Sequence, residues 1–90
     1  MEDIPMLDDN IPLERAKRFK QLRTLCQLTK LELAEKIGCS SITPSAWEKG
    51  FHGGINEKAA EKIVNAIKNI VECETEWLLS GEGKPPKLLI

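Results

Sequence analysis

Aromatic residues are scarce in this chain of 90 residues: Phe19, Trp47, Phe51 and Trp77 are the whole inventory. A core must therefore be made mostly from aliphatics, which suits a compact helical bundle of one small domain. No apolar run approaches the length needed to span a bilayer. The acidic start MEDIPMLDDN lacks the basic and apolar regions of a signal peptide, so a cytoplasmic location with no membrane partner is expected. The three cysteines, Cys26, Cys39 and Cys73, are odd in number and widely spaced, there is no C-x-x-C pair, and His52 is the single histidine. That pattern argues against a disulfide framework, a metal site or a cofactor. Cys26 and Cys39 read as small buried hydrophobes and His52 as a solvated loop residue. No nucleophile and base stand at workable spacing and no glycine loop leads into Lys-Ser/Thr, so an enzyme has almost no support.

Charge of one sign is also lacking overall, at a net −1, but its distribution is uneven. Residues 1–10 carry four acidic groups, whereas residues 11–37 carry seven Lys/Arg against three Glu. Arg15, Lys17, Arg18, Lys20 and Arg23 make the first helix the basic element, either a solvated face or a phosphate-holding one.

What is present centres on Thr29–Gly50, TKLELAEKIGCSSITPSAWEKG. Thr29 caps a helix whose apolar positions Leu31, Leu33, Ala34 and Ile37 share a side, and Gly38 ends it. A shorter helix carrying Ile42, Ala46 and Trp47 follows and stops at Gly50. Two short helices across a tight glycine turn form the unit that presents its second helix to the DNA major groove.

These residues resemble the Cro and lambda-type repressor helix-turn-helix family. The resemblance is carried by Leu22-Arg23, by Leu33-Ala34 with Gly38, by Trp47-Glu48-Lys49-Gly50, and by Trp77-Leu78-Leu79-Ser80-Gly81-Glu82-Gly83, which looks like the fifth helix and exit turn of such domains. It implies an all-α, five-helix fold with the helix-turn-helix at helices 2–3. It also implies an ion pair between Arg23 and Glu48 that holds the motif rigid, with Trp47 in the core. Family members often have glutamine where Lys30 stands; lysine keeps the phosphate contact but not the two-way hydrogen bonding of an amide.

In chain order, residues 1–10 read as an acidic flexible arm, residues 11–83 as the DNA-binding domain, and residues 84–90 as a Pro-containing apolar tail. Asn10 would cap helix one, with Pro12 in its first turn and Leu13, Ala16, Phe19, Leu22 and Cys26 as its core stripe. Pro44 falls where the family usually has a buried aliphatic. The recognition helix should therefore start late, at a cap on Ser41 or Thr43, with Pro44 in its first turn. Ile42 then either replaces the aliphatic or points outward as a probe for a thymine methyl. The segment Cys39–Lys49 has no Arg, Asn or Gln, so strong bidentate base contacts are absent from it. Phe51-His52-Gly53-Gly54 is a turn-rich loop that lets the backbone approach phosphate or simply connects. Asn56 caps the next helix, whose stripe is Ala59, Ala60, Ile63, Val64 and Ile67, with Ile70 and Val71 continuing the apolar path. Trp77, Leu78 and Leu79 close the core or face a second protomer. Leu88, Leu89 and Ile90 belong to a dimer arm or to the start of a further domain.

The expected function is sequence-specific binding of double-stranded DNA, at a near-palindromic operator, by a homodimeric transcriptional regulator acting as a repressor. Ser40, Ser41, Ile42, Thr43 and Ser45 are assigned to base edges, and Lys30, Lys49, Arg15, Lys20, Gly53 and Gly54 to phosphates. The alternative is a protein-interaction module on the same fold, antitoxin-like or anti-repressor-like, with little or no DNA binding.

Overall fold

A computed structural model describes residues 3–50 and 54–89; Met1, Glu2, Phe51, His52, Gly53 and Ile90 lie outside them. The described residues form five helices, α1 (Asp3–Cys26), α2 (Lys30–Ile37), α3 (Ile42–Lys49), α4 (Glu57–Ala66) and α5 (Thr75–Ser80), with two-residue strands β1 (Val71–Glu72) and β2 (Lys87–Leu88). The architecture is mostly helical.

α1 begins at Asp3, so part of the stretch read as a flexible arm is helix and Asn10 is not its cap. Pro5 lies in the first turn, where its missing N–H costs nothing. Pro12, by contrast, falls inside the helix, where one backbone rung must be missing. The core stripe of α1 starts at Ala16: Ala16, Phe19, Leu22 and Cys26 are buried, whereas Leu13 is exposed, contrary to the sequence reading. Leu31 on α2 is likewise exposed, leaving Leu33 and Ala34 as that helix's buried pair. Ile55 before α4, Ala60, Ile63 and Ile67 on or just after it, Val71 of β1, and Trp77 and Leu78 of α5 complete the core. Trp77 and Leu78 are interior residues of this chain, and Leu79 packs partly buried against the same cluster.

Helix ends are satisfied by specific side chains. At α2 the Glu32 N–H donates to Thr29 Oγ1 (3.1 Å) while the Thr29 N–H donates to Glu32 Oε1 (2.9 Å). At α4 the Ala59 N–H donates to Asn56 Oδ1 (2.8 Å). α2 and α3 both end on left-handed glycines, Gly38 and Gly50. α1 ends on Gln27 instead, at φ 59°, a region that costs a side chain with a Cβ about 1–2 kcal/mol. α4 ends at Ala66, and the Ile70 and Val71 N–H groups turn back to the Ile67 carbonyl; the apolar path nevertheless continues, with Val71 buried in the core and Ile70 packed against it.

The apolar tail returns to its own domain. β2 pairs antiparallel with β1, Val71 opposite Leu88 and Glu72 opposite Lys87, and the Leu89 N–H donates to the Ile70 carbonyl (2.9 Å). Leu88 and Leu89 remain partly exposed at the strand edge.

Candidate functional site

α2 and α3 pack against each other, and α3 lies on α1. The corner they make is locked from beneath. Arg23 Nε donates to Glu48 Oε2 (2.5 Å) and Nη2 to Glu48 Oε1 (3.4 Å), while Nη1 reaches the Leu28 carbonyl (2.8 Å). One guanidinium thus ties α1, the α1–α2 connection and α3 together. Both partners are largely removed from water, at 16% and 7% side-chain exposure, so the pair resists screening. Trp47 adds an edge-to-face contact with Phe19, centroids 5.5 Å apart at 80°, which makes it part of the scaffold.

The first turn of α3 resolves the problem of Pro44. The helix starts at Ile42, so Pro44 is its third residue and needs no intrahelical donor. Ser41 stands at the cap position but makes no side-chain cap bond; Ser40 Oγ accepts from the Ile42 N–H instead (3.2 Å). Pro44 is itself fully buried and takes the inward position of this turn. Ile42 is consequently released outward and is 75% exposed. Ser40 and Ser41 are exposed beside it, with Thr43 and Ser45 half-buried. From Gly38 to Ala46 the sequence contains no charged side chain.

Lysines lie on the elements that carry or adjoin this neutral surface. Lys30 opens α2 half-buried, and Lys49 ends α3 exposed, in its last turn. A groove between the α2–α3 turn and α4 is lined by Gly38, Cys39, Thr43, Trp47, Lys58 and Lys62, among others. A shallower one continues along α4 past Lys36 and Lys62. Lys36, Lys58 and Lys62 were not picked out from sequence; the i, i+4 spacing of Lys58 and Lys62, which puts them on one face of α4, was the available signal.

Two assigned cations are placed differently. Arg15 is a correction: its Nε donates to the Leu79 carbonyl and its Nη1 to the Ile55 carbonyl, both at 2.8 Å, so it is engaged internally rather than offered to phosphate. The reason is that α5 ends with unpaired carbonyls, and a guanidinium one turn into the core stripe satisfies them. Arg18 joins it, donating to Leu78 (2.9 Å) and Leu79 (3.0 Å). Lys20 is exposed with Lys17, Gln21 and Thr24 on the outer face of α1, a patch that holds no α3 residue. Gly54 has φ 74° and leads into fully buried Ile55, whereas Gly53 lies outside the described residues.

Cys26 is buried, as read from sequence, whereas Cys39 is only half-buried, a further departure from that reading. Burial pushes the Cys26 thiol above its ordinary range against the opposing pull of Lys36. Cys73 rises to about 11, chiefly through burial and then through Cys26 and Glu74 nearby. Both thiols are protonated near neutrality and act as apolar filling. Among the described residues no three His, Cys, Asp or Glu are grouped to hold a metal ion, and no helix is long and apolar enough to cross a membrane.

Comparison with protein-family models, with curated proteins and with solved structures finds no match to this chain.

Proposed function

We propose that this chain binds double-stranded DNA through a helix-turn-helix formed by α2 and α3, and acts as a cytoplasmic transcriptional regulator. The observation that carries this reading is the start of α3: uncharged, rich in hydroxyls, exposed at Ser40, Ser41 and Ile42, and held on a rigid corner by the Arg23–Glu48 pair. An α-helix end of this width fits the major groove, with Ser40, Ser41, Ile42, Thr43 and Ser45 facing base edges. Lys30 and Lys49, joined by Lys36, Lys58 and Lys62, supply phosphate contacts around it. The resemblance to Cro and lambda-type repressors supports the same assignment. Operation as a homodimer on a near-palindromic operator, with repression by occlusion, follows from that resemblance. Since Trp77 and Leu78 are interior, the partly exposed Leu88 and Leu89 are the apolar tail groups left for such a dimer contact.

The test is binding to duplexes enriched from a random pool, followed by fluorescence anisotropy from about 50 to 200 mM salt. A DNA reader shows affinity falling steeply with salt and weakened by Lys30→Ala. The exposed Leu31 and Ile42 favour a second reading, a protein-docking module. That reading predicts no duplex binding even at low salt.

A further inference from the structure

Most of the surface assigned to base edges is short. Hydroxyls donate or accept with either member of several base pairs and discriminate weakly on their own. Ile42 differs from them in size, polarity and position. Isolated exposed aliphatics are ordinary on protein surfaces, but this one stands at the leading turn of α3, 75% exposed, on a helix whose core place is already filled by Pro44. Being β-branched, it is restricted at χ1, so its γ-methyl has few orientations to lose on binding. No charged side chain from Gly38 to Ala46 competes with it for the same base edges.

We propose that Ile42 is the principal specificity-determining residue of this surface and reads the C5 methyl group of a pyrimidine, thymine or 5-methylcytosine, in the major groove. The inference rests on the DNA-binding reading above. Thymine presents a methyl where cytosine presents hydrogen, and an aliphatic side chain gains by burying that group against itself. The same contact accepts 5-methylcytosine, so affinity responds to cytosine methylation at the positions Ile42 faces. Hydroxyl contacts from Ser41 and Thr43 do not carry that response.

The experiment takes the duplex enriched by the full chain and replaces each thymine in turn by uracil, which removes one methyl and nothing else. Anisotropy titrations compare the wild-type protein with Ile42→Ala, whose helical content is checked by circular dichroism. The expected result is one or two positions per half-site at which uracil weakens wild-type binding on the order of fourfold, the value of one buried methyl. The same change should alter Ile42→Ala binding by less than about 1.5-fold. At those positions a 5-methylcytosine pair should bind the wild type better than an unmethylated cytosine pair. A flat uracil scan, or equal losses in wild type and variant, overturns the methyl reading while leaving DNA binding intact. Failure to enrich any duplex overturns the DNA-binding reading and this one with it.

Discussion

The α5 end and the α3 start are both short helix termini, and they are finished in opposite ways. At α5 two arginines from α1 close over the last carbonyls, with Arg18 lying against Gly81, where an added Cβ would come within 3.1 Å of its guanidinium. At α3 no side chain of the cap residue bonds the first turn, no charge is present, and an isoleucine stands in solvent. The first terminus is sealed and the second is presented. The difference shows why a count of basic residues misleads: in α1 the arginines face inward to carbonyls and to Glu48, while lysines are left for the surface.

The comparison breaks most severely if the link between the two regions is cut. Arg23→Ala leaves Glu48 nearly buried without its cation and frees the Leu28 carbonyl, and should cost about 3 kcal/mol in urea unfolding. Glu48→Gln keeps an acceptor for Arg23 and should cost less. At the sealed terminus, Arg18→Ala removes two charge-assisted hydrogen bonds to α5 carbonyls and should cost about 2 kcal/mol. Lys20→Ala, on the outer face of the same helix, should stay within about 0.5 kcal/mol. Equal losses from Arg18→Ala and Lys20→Ala would remove the distinction between inward arginine and outward lysine.

Much of the scaffold was legible because it follows from local rules. Thr29 with Glu32, Asn56, Gly38 and Gly50 announce helix ends through the chemistry of single residues, and Phe19 and Leu22 or Ala60 and Ile63 announce core by spacing. The late start of α3 was legible for the same reason, since proline allows few alternatives. Arg15 was not legible: whether a guanidinium meets a phosphate or a carbonyl depends on Leu79, far along the chain, and no local pattern encodes that distance. The β1–β2 pairing was hidden because a two-residue strand has no periodicity to detect. Leu13 and Leu31 matched an apolar stripe but lay at its margins, where neighbouring elements decide whether a side chain is covered.

The sealed side also predicts a pH dependence. The Cys73 thiol is raised from an ordinary 9.0 to about 11, so folding favours its neutral form. That contribution is complete below about pH 9 and is lost as pH rises through about 11, because the unfolded thiol ionises first. Unfolding midpoints should therefore fall across this window more steeply for the wild type than for Cys73→Ala. A smaller gain should come from Gln27→Gly at the α1 end, where removing the Cβ at φ 59° should add about 0.5–1 kcal/mol. Chemical denaturation of the two variants checks both.

The smallest expected effect on stability is at the presented terminus, and there the comparison is sharpest. Leu33 and Ile42 are both aliphatics on the α2–α3 corner, at 1% and 75% exposure. Leu33→Ala should cost about 2–5 kcal/mol, since it opens a cavity in the packed core. Ile42→Ala removes a side chain that touches mostly water, and alanine is the better helix former, so its cost should lie within about 0.5 kcal/mol of zero or turn into a slight gain. Matched urea titrations decide it. A loss near that of Leu33 would mean that Ile42 serves the core and is not a surface probe. A neutral Ile42→Ala that nevertheless changes the uracil response would separate what this corner needs to fold from what it uses to recognise DNA.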